Sequence, residues 1–180
     1  TESLAEELIK VHRSLSGLIK LNKTLLLLSK IENGQFLQTS EVDMNTLAAD
    51  SIALHQEIYG HKNIKADVKG EERFILKSDE QMASVLIGNL VKNAFLYTPE
   101  GGSIEIQMSR TGFSISNDGN APLDKEKVFR RFYQPSGRRE GATGLGLALV
   151  YSVCINNGLD ITYDYADGRH IFSIILKKSK

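Results

Sequence analysis

Asn89 and Asn93 stand four residues apart in "GNLVKNAFLYTPEGG" (88–102), among the apolar neighbours Val85, Leu86, Leu90, Val91 and Ala94. Residues i and i+4 lie one above the other on a helix, so the two amides share a face. A buried amide has four hydrogen-bonding valences, and an unmet one costs about 1–3 kcal/mol. Either the fold or a ligand has to meet them. A second chemical candidate is "GATGLGLALV" (141–150), where Gly141, Gly144 and Gly146 precede an apolar helical run. Glycines at the start of a helix leave backbone N–H groups bare at the positive end of its dipole, where phosphate binds. The stretch is not a Walker loop, which needs Lys where Leu147 stands, nor a dinucleotide fingerprint, which needs Gly where Leu149 stands. On these residues alone a phosphate cradle and a closely packed helix start are equally open.

Composition bounds the rest. The chain has 180 residues, enough for one domain of ordinary size plus an appendage. Lys+Arg and Asp+Glu number 22 each, so no global field draws the chain to nucleic acid or to an anionic membrane. With 41% hydrophobic and 24% charged residues it reads as a globular chain able to build a core. The single cysteine, Cys154, rules out an intrachain disulfide and a thiolate-only metal site, and its setting "YSVCIN" reads as a small buried residue. The longest apolar run, "GLGLALVYSVCI" (144–155), is too short to span a bilayer, and no secretory leader is visible. A cytoplasmic setting is expected.

The elements that position these residues follow from periodicity. Leu4, Leu8, Val11, Leu15 and Leu18 repeat with a 4-3-4-3 spacing, the seam of a coiled coil or helical bundle, within one helix ending at Gly34. "TLLLLSKI" beyond it is apolar on more than one stripe, so that end should be enclosed. After Gly34 come a strand in "QFLQTSEVDM", a helix over 43–59, and "NIKADVKG" and "RFILKS" read as a pair of strands. A helix over 79–96 follows, with Ser78 and Gln81 placed for a capping box. Then come strands at 103–109 and 112–116, an irregular stretch over 117–142, a helix over 143–157 and a hairpin over 159–177. The expectation is an α+β fold: a two-layer α/β sandwich whose mixed, mostly antiparallel sheet is covered by helices on one face, preceded by one long N-terminal helix.

Four motifs occur in order: NxxxNAxxYTP from Asn89, NxGxAP from Asn117, VFxRFY from Val128 and GxxGLGLALV from Gly141. Together they resemble the ATP-binding boxes of bacterial sensor histidine kinases, which share the ATP-binding fold of DNA gyrase, one class of heat-shock chaperones and the MutL repair proteins. The resemblance implies two units, the second helix of a dimerisation region over 1–34 and an ATP-binding catalytic domain over 35–180. It implies ATP and Mg²⁺ as cofactors, with Asn93 on the metal and Asn89 supporting the metal or the attacking group. Tyr97 would lie near the phosphates or sugar. Asn117 stands where the family usually has an Asp that reads the adenine amino group, and Gly119 and Ala121 would let the backbone approach the base. Phe129, Arg131, Phe132 and Tyr133 would close over the nucleotide and meet the helical domain, with Arg131 joining Asn89 in catalysis. Gly141, Thr143, Gly144, Leu145, Gly146 and Leu147 would line the triphosphate lid.

The implied reaction is transfer of the ATP γ-phosphate to a histidine nitrogen, which needs positioning and charge neutralisation more than covalent help. The family's acceptor is a His followed by Glu or Asp, whereas this chain has "HR" (His12), "HQ" (His55), "HK" (His61) and "HI" (His170). The expectation is a fragment whose acceptor helix lies elsewhere and which cannot phosphorylate itself. Expected partners are that helix, a response-regulator receiver domain and a second copy in the full-length protein; nucleic acid is not expected. The whole would be the cytoplasmic part of a membrane-anchored sensor. Leu96 stands where Lys or Arg is common, a charge for which Arg138, Arg139 or Lys92 would be the substitutes, and Arg130 where Glu is frequent. With Asn117, these motivate the alternative of a catalytically impaired nucleotide-binding regulatory module.

Overall fold

The N-terminal leucine stripe forms α1 (Glu2–Glu32), and its repeat residues Leu4, Leu8, Val11, Leu15 and Leu18 stand exposed along it. Its last turns differ: Leu28 and Ile31 are buried in the main core, as the apolar surplus of "TLLLLSKI" requires. A computed structural model of the protein describes residues 2–36, 38–135 and 142–178. Next come β1 (Ser40–Asp43) and α2 (Met44–Ile58), the strand shorter than "QFLQTSEVDM" allows, with Leu37 outside the described residues. Asp43 caps α2, accepting from the Asn45 N–H at 3.0 Å and the Thr46 hydroxyl at 3.2 Å.

A turn of 3-10 helix (Gly60–Lys62) leads into β2 (Lys65–Lys69) and, after it, β3 (Ile75–Ser78). These strands do not pair with each other as the sequence predicts. β3 runs antiparallel to β1 in a separate two-stranded sheet, with Val42 opposite Leu76. β2 instead joins the main sheet. The helix α3 (Glu80–Tyr97) is capped not by Ser78 but by Asp79, whose carboxylate accepts from the Gln81 and Met82 N–H groups at 2.9 and 3.3 Å. Ser78 is the last residue of β3, paired with Ser40, so its backbone is committed to the sheet one residue before the helix can start.

The main sheet is completed by β4 (Ser103–Ser109), β5 (Gly112–Asp118), β6 (Leu159–Ala166) and β7 (Arg169–Leu176). Its order is β2-β4-β5-β7-β6, with β2 parallel to β4 and every other pair antiparallel. Alternate residues face the helices: Ile104, Ile106 and Met108 on β4, Phe113 and Ile115 on β5, Phe172 and Ile174 on β7 are all buried. The last helix, α4 (Gly146–Asn156), starts three residues later than predicted. α3 lies between α2 and α4, and α1 packs on α4, so the helices form one layer over the sheet. Among the described residues no helix is long and apolar enough to cross a membrane.

Candidate functional site

α3 turns Met82, Leu86, Leu90 and Ala94 into the core, each at most 6% exposed. Asn89 and Asn93 fall at the edge of that stripe, half-buried, beside the start of α4. A Cβ on Gly146 would lie 3.2 Å from Asn89 Oδ1 and 3.6 Å from Asn93 Oδ1. Asn89 donates through Nδ2 to the Val85 carbonyl at 2.8 Å, which fixes its amide and leaves the oxygen toward α4. The Asn93 side chain makes no hydrogen bond among the described residues. Its valences are met by solvent or a ligand, not by the fold.

The two amides border a cavity of about 660 Å³ that runs from α4 along α3 to the loop after β5, a size that suits a nucleotide-sized ligand. At the α4 end the helix has no side-chain cap, and Thr143 Oγ1 accepts from the Leu145 N–H at 3.3 Å just before it. The first-turn N–H groups and the helix dipole therefore face the amides, a setting that attracts anions. At the far end Asn117, 4% exposed, and Gly119, Asn120 and Ala121 form the wall. Asp118 is not part of it. Strand alternation turns its carboxylate away to accept from the Ser103 N–H at 2.7 Å and to pair with Arg169.

Of the residues singled out in the sequence, the cavity wall brings together Asn89, Asn93, Tyr97, Asn117, Gly119, Ala121, Thr143, Gly144, Gly146 and Leu147, and also Tyr133. Gly141 lies outside the described residues, as do Arg138 and Arg139. Four others are not in the wall. Phe129 stacks on Tyr151 and meets Phe172 edge-on. Leu145 is wholly buried beneath it, as the residue before α4. Arg131 is exposed and donates to Glu32 at the end of α1, 2.5 Å away. Phe132 has a left-handed backbone, φ 62, which leaves its ring 57% exposed. Its N–H donates to the Gly144 carbonyl at 2.8 Å, and a Cβ on Gly144 would come within 2.7 Å of Phe132 Cα. Gly144, itself at φ 70, is glycine because nothing larger fits against that chain. This segment thus joins the end of α1 to the turn before α4.

Two cations stand in the wall, Lys92 and, unforeseen in the sequence, Lys62. Lys62, from the turn before β2, donates through Nζ to the carbonyls of Phe95 (2.7 Å) and Leu96 (3.1 Å), at the negative end of α3. A positive charge thus sits beside Leu96, delivered from another part of the chain. Lys92, half-buried, lies near Lys20 of α1; burial first and the Lys20 charge second hold its ammonium below the usual lysine range. His170 is a second unforeseen member, 8% exposed in the wall. Cys154 is fully buried among apolar residues, and burial pushes its thiol up to about 12.

The family described as histidine kinase-, DNA gyrase B- and HSP90-like ATPases matches residues 78–180. The chain is 29% identical over 143 residues to the sensor-like histidine kinase SenX3 of Mycobacterium tuberculosis, covering 74% of this chain and 35% of that protein. The chain therefore spans about a third of the length of such curated relatives and matches solved structures as well. The Acinetobacter baumannii histidine kinase AdeS has the same fold, with a TM-score of 0.72, 20% identity and coverage of 100% of this chain and 86% of that one. Histidine kinase ThkA, solved in complex with the response regulator protein TrrA, superposes with a TM-score of 0.70 at 24% identity, covering 94% of this chain and 49% of that one. With more than half its length matched by the family, the chain belongs to the histidine kinase-, DNA gyrase B- and HSP90-like ATPases.

Proposed function

We propose that this chain is the ATP-binding catalytic part of a sensor histidine kinase, transferring the ATP γ-phosphoryl group to a histidine nitrogen supplied from outside these residues. The observation that carries this reading is the meeting of the two amide oxygens with the uncapped start of α4, across the gap that a single Cβ on Gly146 would fill. Residues 1–34 act as the second dimerisation helix and 35–180 as the catalytic domain, in a cytoplasmic setting.

The donor set fits Mg²⁺. Among the described residues there is no cluster of three His, Cys, Asp or Glu; a metal here would be held by amide oxygen, nucleotide phosphates and water, which would suit a hard ion that keeps several waters. Mg²⁺ bound on Asn93 would neutralise charge on the phosphates. Asn89 orients its oxygen toward the same gap through its bond to Val85. The α4 N–H groups bind phosphate oxygens, and Thr143, Gly144 and Leu147 line them. Tyr97 borders the middle of the cavity, and Asn117, Gly119 and Ala121 hold the base. In the transfer the bond from the γ-phosphorus to the bridging oxygen breaks, a phosphorus–nitrogen bond forms, ADP leaves and the histidine loses its N–H proton.

None of the four histidines is followed by Glu or Asp, so the chain alone forms no phosphohistidine. Its partners are an acceptor helix, a second copy joined through the exposed stripe of α1, and the receiver domain of a response regulator, the class of protein with which ThkA was solved in complex. Catalysis and mere nucleotide binding are separated by one experiment. Calorimetry should show ATP binding that needs Mg²⁺ and is lost in Asn93→Ala with little change in melting temperature. Adding a separate acceptor-helix protein with γ-labelled ATP should then label its histidine. Binding without any labelling favours the regulatory module instead, a reading motivated by Leu96, Asn117 and Arg130.

A further inference from the structure

Asn117 and His170 are directly opposite each other in the β5–β7 register and both line the cavity. Side chains so placed on one face of an antiparallel pair lie about 5 Å apart at Cβ. Asn117 Nδ2 donates to the Asp118 carbonyl at 3.1 Å, which fixes the amide's orientation and leaves Oδ1 free as an acceptor. The proton on His170 follows from its neighbours. The Leu123 N–H donates to the Tyr163 phenol oxygen at 2.9 Å, and that oxygen lies 2.9 Å from His170 Nδ1. With its oxygen already accepting, the phenol donates its own hydrogen to Nδ1, which assigns the imidazole proton to Nε2.

That Nε2–H has no partner among the described residues. A Cβ on Gly119 would lie 2.2 Å from it, so the glycine is what leaves room for the ring edge. Tyr165 donates to the Gly119 carbonyl at 2.9 Å, and the Gly119 N–H donates to the Gly168 carbonyl at 3.0 Å, which holds this loop over the imidazole. Burial pushes the imidazole below the usual histidine range, in keeping with a neutral ring.

We propose that His170 is a base-reading residue of the nucleotide site, donating from Nε2–H to an unprotonated ring nitrogen while Asn117 Oδ1 accepts from the adjacent exocyclic amino group. An acceptor and a donor side by side match a 6-aminopurine, which presents an amino group beside a bare ring nitrogen. A 6-oxopurine reverses both groups and meets like with like, which leaves buried polar groups unpaired. The assignment rests on the nucleotide-binding reading above.

The test uses the full chain and compares affinities for ATP and for 1-deaza-ATP, in which a C–H replaces the ring nitrogen. The wild type should bind the analogue about tenfold more weakly or worse. His170→Phe keeps a ring beside Tyr163 and Tyr165 but has no donor, and should bind both nucleotides equally within about twofold. His170→Gln, which restores an N–H, should recover the discrimination. A purely structural histidine would weaken both nucleotides together and leave their ratio unchanged in His170→Phe, which overturns the proposal. Equal binding of both by the wild type also overturns it, even where the Phe variant does not fold. A wild type that binds neither nucleotide refutes the ATP-binding reading itself, a result distinct from the loss of discrimination.

Discussion

Replacing Gly146 by alanine sets two effects against each other that the structure lets one separate. Gly146 is the first residue of α4, and the three atoms nearest to an added Cβ are Asn89 Oδ1 at 3.2 Å and Asn93 Oδ1 and Nδ2 at 3.6 and 3.7 Å. No backbone is among them. The helix gains: alanine is favoured over glycine by about 0.5–1 kcal/mol inside a helix, and by less at its first position. The Asn89 contact is tight by a few tenths of an ångström, which a small shift of the side chain relieves. The two effects nearly cancel, so stability should change by less than about 0.5 kcal/mol, or about 2 °C in melting temperature for a chain of this size. Binding should respond differently. The new methyl stands in the gap between the amides and the helix start, and Mg²⁺ demands near-ideal geometry at about 2.1 Å. A tenfold loss of Mg-ATP affinity, about 1.4 kcal/mol, is the minimum expected. Thermal melts with and without ligand read both quantities at once, because a ligand at a hundred times its Kd stabilises by about 2.7 kcal/mol. An alanine variant with an unchanged melt and an undiminished ligand shift would falsify the placement of phosphate and metal in this gap.

Three further outcomes are expected. Lys62→Met removes the cation at the end of α3; stability should fall by about 1 kcal/mol and ATP affinity should weaken and lose part of its salt dependence, whereas unchanged binding from low to high salt would show that Lys62 serves the helix alone. Cys154, wholly buried with its thiol pushed up to about 12, should resist aromatic disulfide reagents in the native state at pH 8 and react fully in guanidinium; rapid native labelling would contradict its burial. The His170 imidazole is held below its ordinary 6.5 by burial, so on acidification the unfolded chain takes up that proton first. The His170 contribution to stability should be level above about pH 6.5 and decline below it, a slope that His170→Gln removes and that is separate from the lowered Asp43, Asp124 and Asp164 carboxyls, which lose their stabilising effect only near or below 3.8.

What could be read from the sequence was what local spacing controls. The shared face of Asn89 and Asn93 follows from helical geometry, and the β4–β5 and β6–β7 hairpins follow from short turns between strands of alternating pattern. The supposed pairing of β2 with β3 failed because neighbouring strands are bound to pair only when a tight turn joins them. Each found a partner more distant in sequence, β2 ahead of it across α3 and β3 behind it across α2. The capping error at Ser78 arose because Ser and Asp are equally good caps in sequence, and only the commitment of Ser78 to β3 decides between them. Lys62 and His170 carried no local signal: each reaches the cavity through a contact with a residue distant in sequence. Arg131 and Phe132 were expected from their motif both to close over the nucleotide and to meet the helical region, and the left-handed turn at Phe132 goes with the second of these, since Arg131 donates to Glu32 of α1.

The rooting of α1 has a mechanical meaning. Thirty-one residues make a rod about 46 Å long, clamped at one end by Leu28 and Ile31 and unsupported by its own domain over most of the rest. A tilt of about 5° at the clamp sweeps the free tip through about 4 Å, nearly the width of a side chain on a rod of that pitch. The clamp packs on α4, whose first residue abuts the two amides. Displacements too small to notice around the cavity are therefore geared up, along the length of α1, into a change of alignment at its distant leucines.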